Sequence, residues 1–163
     1  MFIGDSRDHP GNLLRLQIVD TAFCPETRKT PGVQSRGPSV NRTAVIPAAF
    51  DVPDRLKYIR SNLLDVIREY RVKSAGVRVT EPNADASIER IQIEGVIQEA
   101  FASSELERYY VGQISSISSR LKIDRTKFKP MVTGEIDFNV ANWKGFNRNE
   151  REAVLCAVGA LNA

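Results

Sequence analysis

Two hydrophobic periods alternate along this chain, and the places where one gives way to the other set the elements it predicts. Leu14, Leu16 and Ile18 alternate with Arg15 and Gln17, the period-two pattern of a strand with one covered face, over Leu13 to Asp20. The preceding Asp8-His9-Pro10-Gly11-Asn12 is turn chemistry and can close a hairpin onto a very short strand at Phe2 to Asp5. Residues 21 to 41 hold Pro25, Pro31, Gly32, Gly37 and Pro38 with little apolar content and read as a long loop, after which Arg42 to Ala48 predicts a third strand.

From Pro53 to Tyr70 the period changes. Leu56, Ile59, Leu63, Ile67 and Tyr70 fall three or four apart, and Pro53 suits a first helical turn. Ser74 to Thr80 returns to alternation, with Ala75, Val77 and Val79 on one face. Asp85, Ser87 and Glu89 supply the acidic, cap-rich start of a second helix carrying Ile88, Ile91, Ile93, Val96, Ile97, Ala100 and Phe101. Apolar positions cover more than half its circumference, which predicts a well-buried helix, and Gly95 within it predicts close packing of helix on sheet. Arg108 to Ile114 predicts a further strand, followed by Ile114, Ile117 and Leu121 at helical spacing in a serine-rich turn. Asn147 with Glu150 three residues on has the form of a capping box for a last helix lined by Val154, Ala157, Val158 and Leu161. Lys122 to Phe146 reads as an irregular connection.

A hairpin-rich half thus feeds an alternating half, which predicts one α/β domain over residues 1–163 with a mixed five-stranded sheet flanked by helices. Composition agrees, since 163 residues at 42% hydrophobic can bury a core without covalent staples. Cys24 and Cys156 lie far apart, without partners at metal or redox spacing. The opening Met1-Phe2-Ile3-Gly4-Asp5 runs straight into Arg7 and Asp8 and lacks a signal peptide's apolar run, and no apolar stretch approaches the length of a membrane span. A cytoplasmic location and no membrane partner are therefore the expectation.

A net charge of +3 is too mild to name a partner, but its distribution is uneven. Arg28, Lys29, Arg36 and Arg42 fall in a window between Glu26 and Asp51 that contains no acid. Arg120, Lys122, Arg125, Lys127 and Lys129 face the single acid Asp124. Each run is a candidate phosphate-contacting surface for DNA or RNA, although isolated basic loops are common and a solvated loop is the favoured reading of either. His9 is the single histidine, so a zinc site or a Ser/His nucleophile pair has no material. Trp143, with Phe138 and Phe146 around Lys144, reads either as a base-stacking group or as packing of a loop onto the core. Cys156, among Ala153, Leu155 and Val158, reads as a small core residue.

The order of elements resembles the ribonuclease H-like superfamily, and within it the RuvC-type resolvases and small uncharacterised bacterial domains of that fold. The residues that carry the resemblance are Leu64-Asp65-Val66-Ile67-Arg68-Glu69-Tyr70, Ala75-Gly76-Val77-Arg78, Arg90-Ile91-Gln92-Ile93-Glu94-Gly95-Val96 and Glu150-Arg151-Glu152-Ala153-Val154. The resemblance implies a divalent-metal-dependent nuclease holding Mg2+ or Mn2+ between carboxylates of the first strand, the fourth strand and the last helix. Asp5 then stands at the first-strand position and Glu150 or Glu152 at the last-helix position, with Asp5 and Glu150 as metal ligands. Where RuvC-type enzymes carry the fourth-strand glutamate this chain has Arg78, which leaves Glu81 or Asp85 downstream to supply that carboxylate. Two readings follow. One is a nucleic-acid-binding ribonuclease H-like domain with metal-dependent nuclease activity through Asp5, Glu81, Asp85, Glu150 and Glu152. The other is a catalytically silent interaction or regulatory module of the same fold, acting as a subunit beside a larger protein.

Overall fold

The structure is a computed structural model that describes residues 2–4, 15–17, 46, 49–82, 87–140 and 142–161, with the backbone alone described for 2–4 and 15–17. The opening hairpin is present as strands β1, Phe2–Gly4, and β2, Arg15–Gln17, paired antiparallel with Ile3 opposite Leu16. Helix α1 spans Val52–Glu69. Its cap Asp51 accepts the backbone N–H of Asp54 at 3.0 Å, Pro53 lies in the first turn, and Ile59, Leu63, Val66 and Ile67 are buried along one side.

Strand β3, Ser74–Arg78, runs parallel to β4, Arg108–Gly112, from Ser74 opposite Arg108 to Arg78 opposite Gly112. Between them lies α2, Ile88–Ala102, capped by the Ser87 hydroxyl, which accepts the Arg90 N–H. Helix α3, Ile114–Arg120, follows β4, and α5, Arg148–Leu161, closes the chain. The expected capping box is formed there: Glu150 N–H donates to Asn147 Oδ1 at 3.0 Å, and Asn147 N–H donates to Glu150 Oε2 at 2.6 Å.

Alternation along β3 sorts the interior into two cores. Ala75 and Val77 join α1, α2 and Ile46, while the opposite face of β3 meets α5, which also packs against β1. On that side Tyr110, Ile117, Phe128, Trp143, Leu155 and Cys156 form the second core. Gly76 is what lets α5 approach. A Cβ built there comes within 2.6 Å of the Cys156 carbonyl oxygen, backbone that has no means of moving aside.

Four expectations are corrected. The α/β fold is present, but the described strands form two two-stranded pairings and not a five-stranded mixed sheet; the third strand expected over 42–48 lies outside the described residues except for Ile46. The long loop 21–41 and His9 lie outside them as well. The connection 122–146 is not irregular throughout: it contains α4, Arg125–Thr133, and a short 3-10 turn at Trp143–Gly145. Asp124 caps α4, and Gly134 ends it in the left-handed conformation at φ 87°. Helix α2 is not wrapped on all sides, since Ile88 and Ile91 are exposed. Gly95 packs on nothing, with no atom within 4 Å of a Cβ built on it. No described helix is long and apolar enough to cross a membrane.

Candidate functional site

The parallel strands β3 and β4 end side by side, and the polar residues of the second half of the chain collect at that end. Val79 N–H donates to the Gly112 carbonyl at 3.0 Å, extending the pairing one residue past Arg78. Beyond it Thr80 turns to α2, where the Glu94 carboxylate accepts the Thr80 N–H at 3.0 and 3.2 Å, the Thr80 hydroxyl at 2.7 Å and Arg90 Nε at 2.9 Å. Glu94 is buried, and these partners explain how a carboxylate persists there. Glu81 Oε1 accepts the N–H of Ile114, an otherwise unpartnered donor in the first turn of α3.

The register of α5 on β3 then fixes a second carboxylate. One helical turn N-terminal to Cys156 is Glu152, and two residues along the same strand face from Gly76 is Arg78. Four helical residues and two strand residues both advance about 6–7 Å, so the two side chains meet. Arg78 Nε and Glu152 Oε1 are 2.5 Å apart, and both side chains are largely withdrawn from water. Burial pushes the Glu152 carboxyl above the usual range, opposed by the charges of Arg78, Arg148 and Arg90 in that order. Below it the Cys156 thiol is fully buried and pushed up to about 12 by the same desolvation, with Glu152 adding to the effect. It is the small core residue expected from its neighbours, with no thiolate chemistry to offer.

Three of the five carboxylates expected to hold metal are described, and each has a partner of its own. Glu150 is spent on the α5 cap, Glu81 on the α3 N-terminus and Glu152 on Arg78. Asp5 and Asp85 lie outside the described residues. Among the described residues no three His, Cys, Asp or Glu side chains converge on a point that could hold a metal ion. The described donors alone do not fit a pair of Mg2+ or Mn2+ ions, which need several anionic oxygens and no competing cation. The sequence singled out Arg78 as the misfit but not its partner. It also assigned Glu94 no polar role, although Arg90 and Glu94 stand at the i,i+4 spacing of a helical ion pair.

A second surface forms at α3 and α4. The Arg120 guanidinium lies 4.2 Å from the centre of the Tyr110 ring. Lys122, Arg125, Lys127 and Lys129 are exposed around the α4 N-terminus. Asp124, the one acid among them, accepts at Oδ1 the hydroxyl and N–H of Thr126, and these bonds hold its carboxyl below the usual range. Arg28, Lys29, Arg36 and Arg42 lie outside the described residues. Trp143 belongs to the core: its ring packs against Phe138 and Phe146, and its Nε1–H donates to the Ile136 carbonyl at 3.1 Å. Arg151, beside it, donates to the carbonyls of Val132 and Thr133 that end α4, which ties α4 to α5.

No protein-family model matches the chain, and no curated protein matches it. Solved structures do. That of Thermus thermophilus RuvC aligns over 76% of this chain and 75% of that one, with a TM-score of 0.55 and 12% sequence identity. T. thermophilus RuvC in complex with Holliday junction substrate aligns over 74% of each chain, with a TM-score of 0.49 and 13% identity. At such identity the likeness to the first of these is one of backbone arrangement, and it agrees with the order of strands and helices built up above. The chain has a ribonuclease H-like fold of the RuvC type.

Proposed function

We propose that this protein is a cytoplasmic nucleic-acid-binding domain of ribonuclease H-like fold that holds DNA or RNA through phosphate contacts and does not cleave it by a two-metal route. The observation that carries the reading is the exposed basic surface of Lys122, Arg125, Lys127 and Lys129, whose single acid, Asp124, accepts the N–H and hydroxyl of Thr126 as the cap of α4. Such a surface neutralises phosphates and releases their counter-ions on binding. The absence of cleavage rests on the Arg78–Glu152 pair, which sets a cation where metal-dependent chemistry would require an anion.

Titration of labelled single-stranded and duplex DNA and RNA at salt concentrations from about 50 to 200 mM tests it, since the affinity of a phosphate-contacting protein falls linearly on logarithmic axes over that range. Reversing Lys127 and Lys129 to glutamate is expected to weaken binding at least about tenfold and flatten the salt slope, with the melting temperature unchanged. Incubation with Mg2+ or Mn2+ is expected to leave every substrate intact. Affinity that ignores both salt and these substitutions refutes the reading. A second reading, a protein-interaction module within a larger assembly, is favoured by the exposure of Ile88 and Ile91 on α2. It takes precedence if no nucleic acid binds.

A further inference from the structure

At the C-terminal end of β3 three elements contribute charged groups to one cluster. Strand β3 brings Arg78, with Thr80 just beyond it, α2 brings Arg90 and Glu94, and α5 brings Arg148 and Glu152. Arg78 is paired with Glu152 and Arg90 with Glu94, and the charge of Arg148 also reaches Glu152, so the described members of the cluster carry no excess of negative charge. Both Glu94 oxygens accept hydrogen bonds, from Thr80 and Arg90, and Glu152 Oε1 faces Arg78 Nε. A hard divalent cation demands the reverse, an excess of anionic oxygens with vacant lone pairs.

The guanidinium is also permanent. It stays charged at any working pH, and its planar fork suits a carboxylate better than an ammonium does. The pair sits on the α5 face of the sheet, held in register by the close approach at Gly76, so Arg78 has little freedom to withdraw. We propose that Arg78 is the built-in counter-ion of Glu152, taking the part a bound divalent cation would otherwise take at the end of β3. The ionic cluster of Arg78, Glu152, Arg90 and Glu94 is therefore a self-sufficient structural joint between sheet, α2 and α5 that excludes metal. Removal of one buried charge leaves its partner uncompensated, so reversal of Arg78 converts the joint into a pair of facing carboxylates that requires a cation.

The test is a titration of the full chain with manganese(II) alone. Free Mn2+ is followed by electron paramagnetic resonance, and melting temperature is measured in Mn2+ and in EDTA. Four proteins are compared: wild type, Glu152→Gln, Arg78→Glu and the double variant Arg78→Glu/Glu152→Gln. The wild type is expected to take up no Mn2+ that Glu152→Gln abolishes, and to melt at the same temperature in Mn2+ and EDTA. Arg78→Glu is expected to melt lower than wild type in EDTA, to gain one saturable Mn2+ site, and to recover several degrees on filling it. The double variant is expected to lose that site.

Wild-type uptake of Mn2+ that disappears in Glu152→Gln overturns the proposal, and so does a folded Arg78→Glu that gains no site. Where Arg78→Glu does not fold, the comparison of wild type with Glu152→Gln decides alone. Neither result depends on nucleic-acid binding, so the proposal and the nucleic-acid-binding reading above fail separately, while the absence of two-metal cleavage rests on the same Arg78–Glu152 pair.

Discussion

At Gly76 a single hydrogen in place of a methyl group decides how a helix meets a strand. The atom a Cβ would strike is the Cys156 carbonyl oxygen, with the Ala160 side chain close behind. Gly76→Ala is therefore expected to push α5 off β3 and destabilise the fold by about 1–3 kcal/mol, the usual range for overpacking, read as a lower urea midpoint. Ser118 presents the opposite case. Its hydroxyl is buried on α3 and has no hydrogen-bond partner among the described residues. Such a group bears a desolvation cost with nothing to offset it, and Ala also favours the helix. Ser118→Ala is expected to be neutral or to stabilise by up to about 1 kcal/mol, and a fall in the midpoint would show that the hydroxyl is satisfied.

Among the elements, α2 carries a residue that its surroundings do not require. Gly95 lies in the helix interior with open space where a side chain would be, and its backbone is not left-handed. Gly95→Ala should therefore stabilise by about 0.5–1 kcal/mol through helix propensity and lost unfolded-state freedom, measured by chemical denaturation. An unchanged or lower stability would indicate that this face is covered in solution. Helices α1 and α5 and strands β3 and β4 were legible because their periodicity and caps agree: Asp51 before α1, Asn147 with Glu150 at α5, alternation at 74–78. Helix α4 was hidden by Pro130, which reads as a breaker yet stands inside a nine-residue helix. Its signals were the cap Asp124, the stop Gly134 and the spacing of Phe128, Met131 and Val132. The Arg78–Glu152 pair could not be read, because it depends on the register of α5 against β3, which only packing at Gly76 sets.

Across the whole molecule, charged groups shifted in opposite directions shape the response to pH. Arg60, with help from the Ser103 hydroxyl, holds the exposed Glu99 carboxyl down at about 2, and Lys73 holds Glu107 below its ordinary value. A depressed carboxylate contributes stability above its unfolded pKa and loses it as pH falls through the folded one, so these groups make stability decline in acid from about pH 4.5 toward 2. Their exposure to solvent keeps that limb shallow. Glu152 has the other sign. Its folded pKa is raised by burial, so the native state holds the proton more tightly than the unfolded chain, and stability falls as pH rises from 4.5 through the folded value. Cys156 repeats that behaviour in base, where the unfolded thiol ionises near 9 and the native one not until about 12. Urea unfolding at closely spaced pH values should therefore show stability declining upward from about pH 4.5 in the wild type. In Glu152→Gln that decline should disappear while the acid limb persists, because Gln cannot titrate and Glu99 and Glu107 are untouched. A decline of unaltered slope in the variant would assign the proton to another group and remove Glu152 from the account of pH dependence.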